Sequence, residues 1–332
     1  MIYYLVTPDH HSTVTRFLRT RGAPLAPMLR VVAYPASVLE GAQRARDWVP
    51  LRRYRRTLRG VLEQSFDALR ALRRHAPQPA GFIFSDLERL ATPERERAAA
   101  LWSWLEEGGL ARRRLNHPLR ALRRYALLRR LEELGINDFG VYRPGEARRP
   151  RRYPVFLRRE NDHGGSRSAL LHTPEELASA IEALERSSES RHAHLITEFC
   201  ARADERGLYR KYAAWCIGGR ILAGHLFFGP HWMLKTPTTL DAGLLAEELD
   251  YLVRNPHAAE LARIFEIAGI DYGRADYGIV DGRIQIFEIN TNPGIPSGYT
   301  PRPPSPRDEV DRRFNETLLD AFRALSAAAT GV

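Results

Sequence analysis

Residues 272–290, YGRADYGIVDGRIQIFEIN, constrain the chain more than any other stretch. Two runs rich in β-branched and aromatic residues flank Asp281-Gly282, the strongest short-range signal for a β-hairpin. At its end Phe287 and Ile289 alternate with Glu288 and Asn290, and a turn-forming NPG follows. A solvated strand face would account for the polar pair. The turn decides what else it could be. A two-residue turn sets Val280 opposite Arg283 and leaves Asp276 on the face away from Glu288, because side chains alternate along a strand. A three-residue loop, Val280-Asp281-Gly282, sets Ile279 opposite Arg283, Asp276 opposite Ile286 and Arg274 opposite Glu288. We expect the second register, which gathers Asp276, Glu288 and Asn290 on one face. Two carboxylates so close repel unless a cation lies between them, and an all-oxygen set with open positions suits Mg²⁺.

The remaining elements read as mixed α/β. Strands are expected at 2–6, 29–34, 81–86, 111–118, 153–160, 169–172 and 193–200, and in the pair 209–219 and 220–228 joined at Gly218-Gly219. Helices are expected near 12–21 and 54–75, from Thr92 onward, and near 118–134, 173–187, 243–253, 256–269 and 308–326. Thr92 and Thr173 are N-caps, the second with Glu176 as a capping box. Alternation of strands and helices implies a mostly parallel sheet. The Pro/Arg-rich segment YRPGEARRPRRYP marks a boundary. The expected division is an N-terminal half-domain 1–115, a helix and linker 116–150, a small subdomain 151–205 and a C-terminal subdomain 206–326.

Charge is uneven. Residues 1–160 hold 32 Arg against 16 acidic residues, or +16; the totals of 50 and 40 leave 18 against 24, or −6, for the rest. The basic half would attract nucleic acid or another polyanion. No RNP-type, zinc-type or KH-type motif accompanies it, so the arginines of 52–74 and 112–130 are read as solvated helix faces. Only Lys211 and Lys235 are lysines, which flags two places where a compact ammonium is needed. Cys200 and Cys216 make no disulfide framework and are read as structural. No apolar run is long enough to span a bilayer, and MIYYLVTPDHH reads as a first strand. A cytoplasmic location, no membrane partner and an optional homodimer are the expectations.

GRADYGIVDGRIQIFEINTNPG resembles the metal-binding hairpin of the ATP-grasp superfamily, of the form R-x-D followed by E-x-N-x-x-P-G. The resemblance extends upstream over most of 111–294, through LNHP, YPVFLRRENDHGG and HLITEFC, and fades before residue 110. It implies an ATP-grasp fold behind a Rossmann-like α/β half-domain. It implies ATP and two Mg²⁺ ions held at Asp276, Glu288 and Asn290, with Arg274 steadying the transferring phosphate. It places Arg158 (or Arg159) where the family carries a phosphate-binding lysine, and Glu198, Phe199 and Cys200 at the adenine hinge. Asp204 or Glu205 would meet the ribose; Arg210 or Lys211, and Lys235, would meet phosphates. The implied reaction joins a small-molecule or peptide carboxylate to an amine through an acyl phosphate, releasing ADP. A non-ligating nucleotide-binding protein and a phosphotransferase are the alternatives. Asp162 and His163 in the phosphate loop depart from the pattern, and His10, His11, Asn292, Ser297 and Tyr299 are candidates for the second substrate.

Overall fold

The computed structural model describes residues 1–35, 38–39, 81–107, 109, 111–161, 164–187, 190–295 and 305–330. The helix expected at 54–75, and Asp162, His163, Ser297 and Tyr299, lie outside them.

Three sheets organise the chain. The first holds β1 (Ile2–Val6), β2 (Leu29–Ala33), β3 (Gly81–Phe84) and β4 (Arg113–Leu115) in the order β2-β1-β3-β4, all parallel. Its two central strands, β1 and β3, are apolar and buried on both faces because both are covered. Tyr3, Leu5, Phe82 and Phe84 share a core with Ala98, Trp102 and Leu105 of α2 (Thr92–Glu107). Tyr4 and Val6 share another with Val14 and Phe17 of α1 (His11–Leu18) and with Phe314, Leu318 and Phe322 of the last helix, α7 (Asp308–Thr330).

The second sheet is small and antiparallel: β5 (Val141–Tyr142), β6 (Val155–Arg159) and β7 (His194–Glu198), ordered β5-β7-β6. It follows α3 (Arg124–Glu133) and is covered by α4 (Pro174–Arg186). Thr173 caps α4, accepting from Glu176 N–H, but the Glu176 carboxylate accepts from His172 N–H at 2.6 Å, one residue earlier than the N–H a capping box uses. The strand expected at 169–172 is a single bridge, Leu171 to Val155. The helix expected from 118 starts only at Arg124. Before it, Arg95 donates to the carbonyls of Pro118 and Ala121 and holds them in a turn.

The third sheet is β8 (Tyr209–Ile217), β9 (Arg220–Gly229), β10 (Tyr272–Val280) and β11 (Arg283–Asn290), ordered β11-β10-β8-β9 and wholly antiparallel. Helices α5 (Ala242–Arg254) and α6 (Ala258–Ala268) lie between its two hairpins in sequence. Leu261, Ile264 and Phe265 of α6 pack with Ala214, Cys216, Ala275 and Ile286. The expectation of a mostly parallel sheet therefore holds for the first sheet alone. Tight turns such as Gly218-Gly219, at φ 62° and 92°, join neighbouring strands only in antiparallel pairs.

The hairpin corrects the expected register while keeping its consequence. Its turn is the two-residue form: Val280 pairs with Arg283, and Asp281 and Gly282 both have positive φ, 50° and 75°. Parity would then send Asp276 to the wrong face, but a β-bulge intervenes. Tyr277 pairs with Ile286 and Asp276 with Glu288, so Phe287 is the extra residue. Arg274 consequently faces Asn290 and not Glu288. Asp276, Glu288 and Asn290 share one face.

Asn116 joins the first sheet to the third. Its amide donates to the carbonyls of Phe84 and Tyr272 at 3.0 and 2.8 Å, and its oxygen accepts from the N–H groups of Asp271 and Tyr272 at 2.8 and 2.9 Å. Gly273, beside this junction, has no room for a side chain: a Cβ there would sit 2.7 Å from the Asn290 carbonyl oxygen. Gly273→Ala is expected to destabilise the protein by about 1–3 kcal/mol through forced strand separation. A urea titration should show a lower midpoint at unchanged slope; an unshifted midpoint would show the strands can part at no cost.

Candidate functional site

Where the second and third sheets face each other they enclose a cavity of about 400 Å³. Its apolar wall is aromatic. Trp232 packs on Phe156 at 4.8 Å between ring centroids and edge-on to Phe199 at 5.7 Å, and Phe287 lies 6.4 Å from Phe139. The bulge that sets the register thus also turns Phe287 into the cavity wall. Its polar wall carries Arg158, Lys211, Lys235, Arg274, Asp276, Glu288 and Asn290, together with Arg210, His10 and Asn292.

Asp276 and Glu288 are direct cross-strand partners, and cations hold both. Asp276 accepts from Arg274 at 2.7 and 3.1 Å and lies 3.4 Å from Lys211 Nζ. Burial works against the Arg274 charge, but Asp276 and Glu288 outweigh it and raise the pKa, so Arg274 stays charged. Oε2 of Glu288 accepts from Arg158 at 2.6 Å and also from Arg124. Arg124 was not among the expected site residues. It is buried at the start of α3, and its other nitrogen donates to the carbonyls of Arg159 and Glu160, both at 2.8 Å. Of the two arginines weighed at the strand end, Arg158 is the one in the cavity. The Asn290 Oδ1 atom is buried and has no hydrogen-bond partner. A cation is the natural complement of an orphaned amide oxygen beside two carboxylates, and the set fits Mg²⁺, which keeps non-protein oxygens in its other positions. Among the described residues, no cluster of three or more His, Cys, Asp or Glu offers an alternative metal centre.

The other expected residues fall in different places. Lys235 reaches across the cavity and donates to the Gly164 carbonyl; a Cβ on Gly165 would lie 2.9 Å from its Cε. Phe199 and Cys200 line the cavity, and burial pushes the Cys200 thiol up. Glu198 is at the cavity wall too, but its carboxylate is committed to the scaffold. It accepts from Tyr142 O–H at 2.7 Å, Arg151 N–H at 2.7 Å and Gly140 N–H at 2.8 Å. Glu205 is exposed and outside the cavity lining. Its neighbour Asp204 accepts from Arg210 at 2.6 Å and caps its own turn. His10 and Asn292 belong to a network: Asp86 accepts from Asn292 at 3.0 Å and lies 2.7 Å from His10 Nδ1, and Tyr4 O–H donates to Asn292 at 2.9 Å. Both ends of the Asn292 amide are thereby engaged. His11 stands at the start of α1, outside the cavity lining. Trp232 and Phe156 were missed because single aromatics in a loop and a strand carry no spacing signal.

Three sheets in this arrangement, with the third bearing R-x-D and E-x-N on one face, define the ATP-grasp fold. Two solved structures share it across nearly the whole chain. The D-alanine–D-alanine ligase from Coxiella burnetii has a TM-score of 0.53 at 13% identity, covering 99% of this chain and 93% of that one. The ATP-grasp ligase PsnB, complexed with a minimal precursor, has a TM-score of 0.50 at 14% identity, covering 98% of each. Comparison of the sequence with protein-family models and with curated proteins finds no match. Likeness at this identity establishes the fold.

The Glu198 cluster yields a stability test. Burial, then the bond to Glu198, push the Tyr142 phenol up to about 12, so it remains a donor at neutral pH. Tyr142→Phe removes that donor from a buried carboxylate and is expected to cost about 1–3 kcal/mol. Thermal unfolding should record a lower Tm; an unchanged Tm would mean the other two donors suffice.

Proposed function

We propose that the protein is a Mg²⁺- and ATP-dependent ligase that activates a carboxylate as an acyl phosphate and transfers the acyl group to an amine. The observation that carries this reading is the direct pairing of Asp276 with Glu288 beside the orphaned Asn290 oxygen, on a cavity wall that also bears Lys211, Lys235, Arg158 and Arg274. The aromatic wall of Phe156, Phe199 and Trp232 suits a purine, while the cationic wall suits a triphosphate.

Asp276, Glu288 and Asn290 would hold the metal, which when bound neutralises charge on the phosphate oxygens. The substrate carboxylate attacks the γ-phosphorus; a new C–O–P linkage forms, the bridging P–O bond breaks, and ADP leaves with the electron pair. The amine nitrogen then attacks the acyl carbon and loses a proton, and inorganic phosphate departs. Arg274, on the strand of Asp276, would steady the charge that moves between these centres. Lys235 and Arg158 would grip the phosphates from the loop side and from β6. No side chain needs to act as a covalent nucleophile, since positioning and charge stabilisation supply the rate. Soluble amino acids, peptides and small acids are the expected substrates, and two metal ions the expected number.

The test is an assay for ADP and phosphate with Mg-ATP and pools of acids and amines. Asp276→Asn and Asn290→Ala are expected to reduce turnover at least a hundredfold with unchanged folding by circular dichroism. AMP and pyrophosphate as products, or variants within a few-fold of wild type, would overturn the proposal. Tight nucleotide binding with no turnover in any pool would favour a binding protein on the same fold.

A further inference from the structure

A second cavity, of about 270 Å³, opens beside the first. The two share Lys211, Lys235, Arg274 and Gly294, so they meet at the cationic wall. The second is bounded by β8 and β9 on one side and by the start of α7 on the other, through Trp215, Phe227, Arg307, Val310 and Phe314.

Register explains how this face is built. Glu288 pairs with Asp276, Asp276 with Ala213, and Ala213 with His225, so the four form one row across the sheet. The pairing shifts between Ala213 and Ala214, which makes Gly224 the extra residue of a second bulge. That bulge sets His225 on the same face as the metal set. At two strand spacings, His225 stands roughly 10 Å from Asp276. Ala213 between them is too small to fill the gap.

The lining has a definite chemistry. His225 stacks on Phe227 at 3.8 Å and 11°, and its Nε2 is buried without a hydrogen-bond partner. Burial, then the charges of Arg274, Lys211 and Arg307, hold its pKa well below the usual range, so the ring is neutral. Arg307 is clamped by the fully buried Glu248, with one bond at 2.7 Å, and its charge lies 5.4 Å from the Phe227 ring centre. Trp215 and Phe314 close the far side, 5.9 Å apart. Asp311 is the one carboxylate among the described lining residues, and Arg21 lies 3.5 Å from it.

We propose that this second cavity seats the acid to be activated: a small carboxylate with an apolar body. The carboxylate lies at the shared mouth, among Lys211, Lys235 and Arg274, and faces the phosphates of the first cavity. The body lies against Trp215, Phe227 and Phe314, with His225 Nε2 ready to meet a polar substituent. Pockets for drug-sized ligands begin near 300 Å³, so 270 Å³ sets a size near that of a single amino acid. The assignment rests on the ligase reading for the word "activated", though not for binding.

The test is calorimetric titration of the whole protein with 3-phenylpropionate and with its uncharged amide, 3-phenylpropionamide. The acid is expected to bind at least tenfold more tightly than the amide. Val310→Trp, which fills the cavity from the helix side, should weaken the acid at least tenfold while the Kd of a non-hydrolysable ATP analogue with Mg²⁺ stays within threefold. His225→Trp fills it from the sheet side and serves should Val310→Trp fail to fold. Equal affinity for acid and amide, no binding of either, or a filled variant that binds the acid as wild type does would overturn the proposal. Binding without ADP release in any pool would sink the ligase reading and leave the pocket. Turnover whose KM for the acid ignores both filled variants would do the reverse.

Discussion

Two carboxylates facing each other across a strand pair are the constraint on which the structure turns. Asp276 and Glu288 are both largely removed from water, and at cross-strand distance their mutual repulsion opposes folding. The protein surrounds them with cations drawn from four elements: Arg274 from β10, Lys211 from β8, Arg158 from β6 and Arg124 from α3. Those contacts reach from the third sheet to the second and to the helix that precedes it. The charges that a polyphosphate and its metal would meet are thus the same charges that hold the sheets in place without one.

How each cation is anchored matters as much as its charge. Arg124 is fixed by two backbone carbonyls before it reaches Glu288. Removing one member of a buried charged group leaves its partners uncompensated, so such clusters resist piecemeal change. Lysine appears only at two positions that reach into the shared mouth of the cavities. There a flexible stem and a compact head can approach glycine backbone, as Lys235 does at Gly164 and Gly165.

Much of this was legible in the sequence, for definable reasons. The hairpin residues and the R-x-D and E-x-N spacings announce themselves because alternation and turn chemistry are local properties. The register was reached by a wrong route: nothing in the letters IQIFEIN marks Phe287 as the bulged residue, since a bulge depends on the twist of the partner strand and on what the ring can cover. The arginines misled for a different reason. A guanidinium on a helix reads as solvated, yet Arg124 is buried and binds the carbonyls of Arg159 and Glu160 at the end of β6. Glu198 shows the converse: its position at the hinge strand was clear, but only the fold reveals that three donors already surround its carboxylate.

The residues after β11 have a mechanical meaning. Thr291 accepts from Leu87 N–H at 3.0 Å and donates to Glu88 at 2.5 Å, and Asn292 is held by Tyr4 and Asp86. With Asn116, just after β4, these bonds weld the first sheet to the third. The small second sheet meets the third through other bonds: at the cavity Arg158 and Arg124 both reach Glu288, and beside β5 the Asn137 amide exchanges bonds with the Ile286 backbone at 3.0 and 2.9 Å. At the cavity, bonds from β6 and α3 thus converge on one carboxylate of β11. A cation drawing on Glu288 would compete with Arg158 and Arg124 for the same oxygen, so filling the site and joining these elements would depend on one carboxylate.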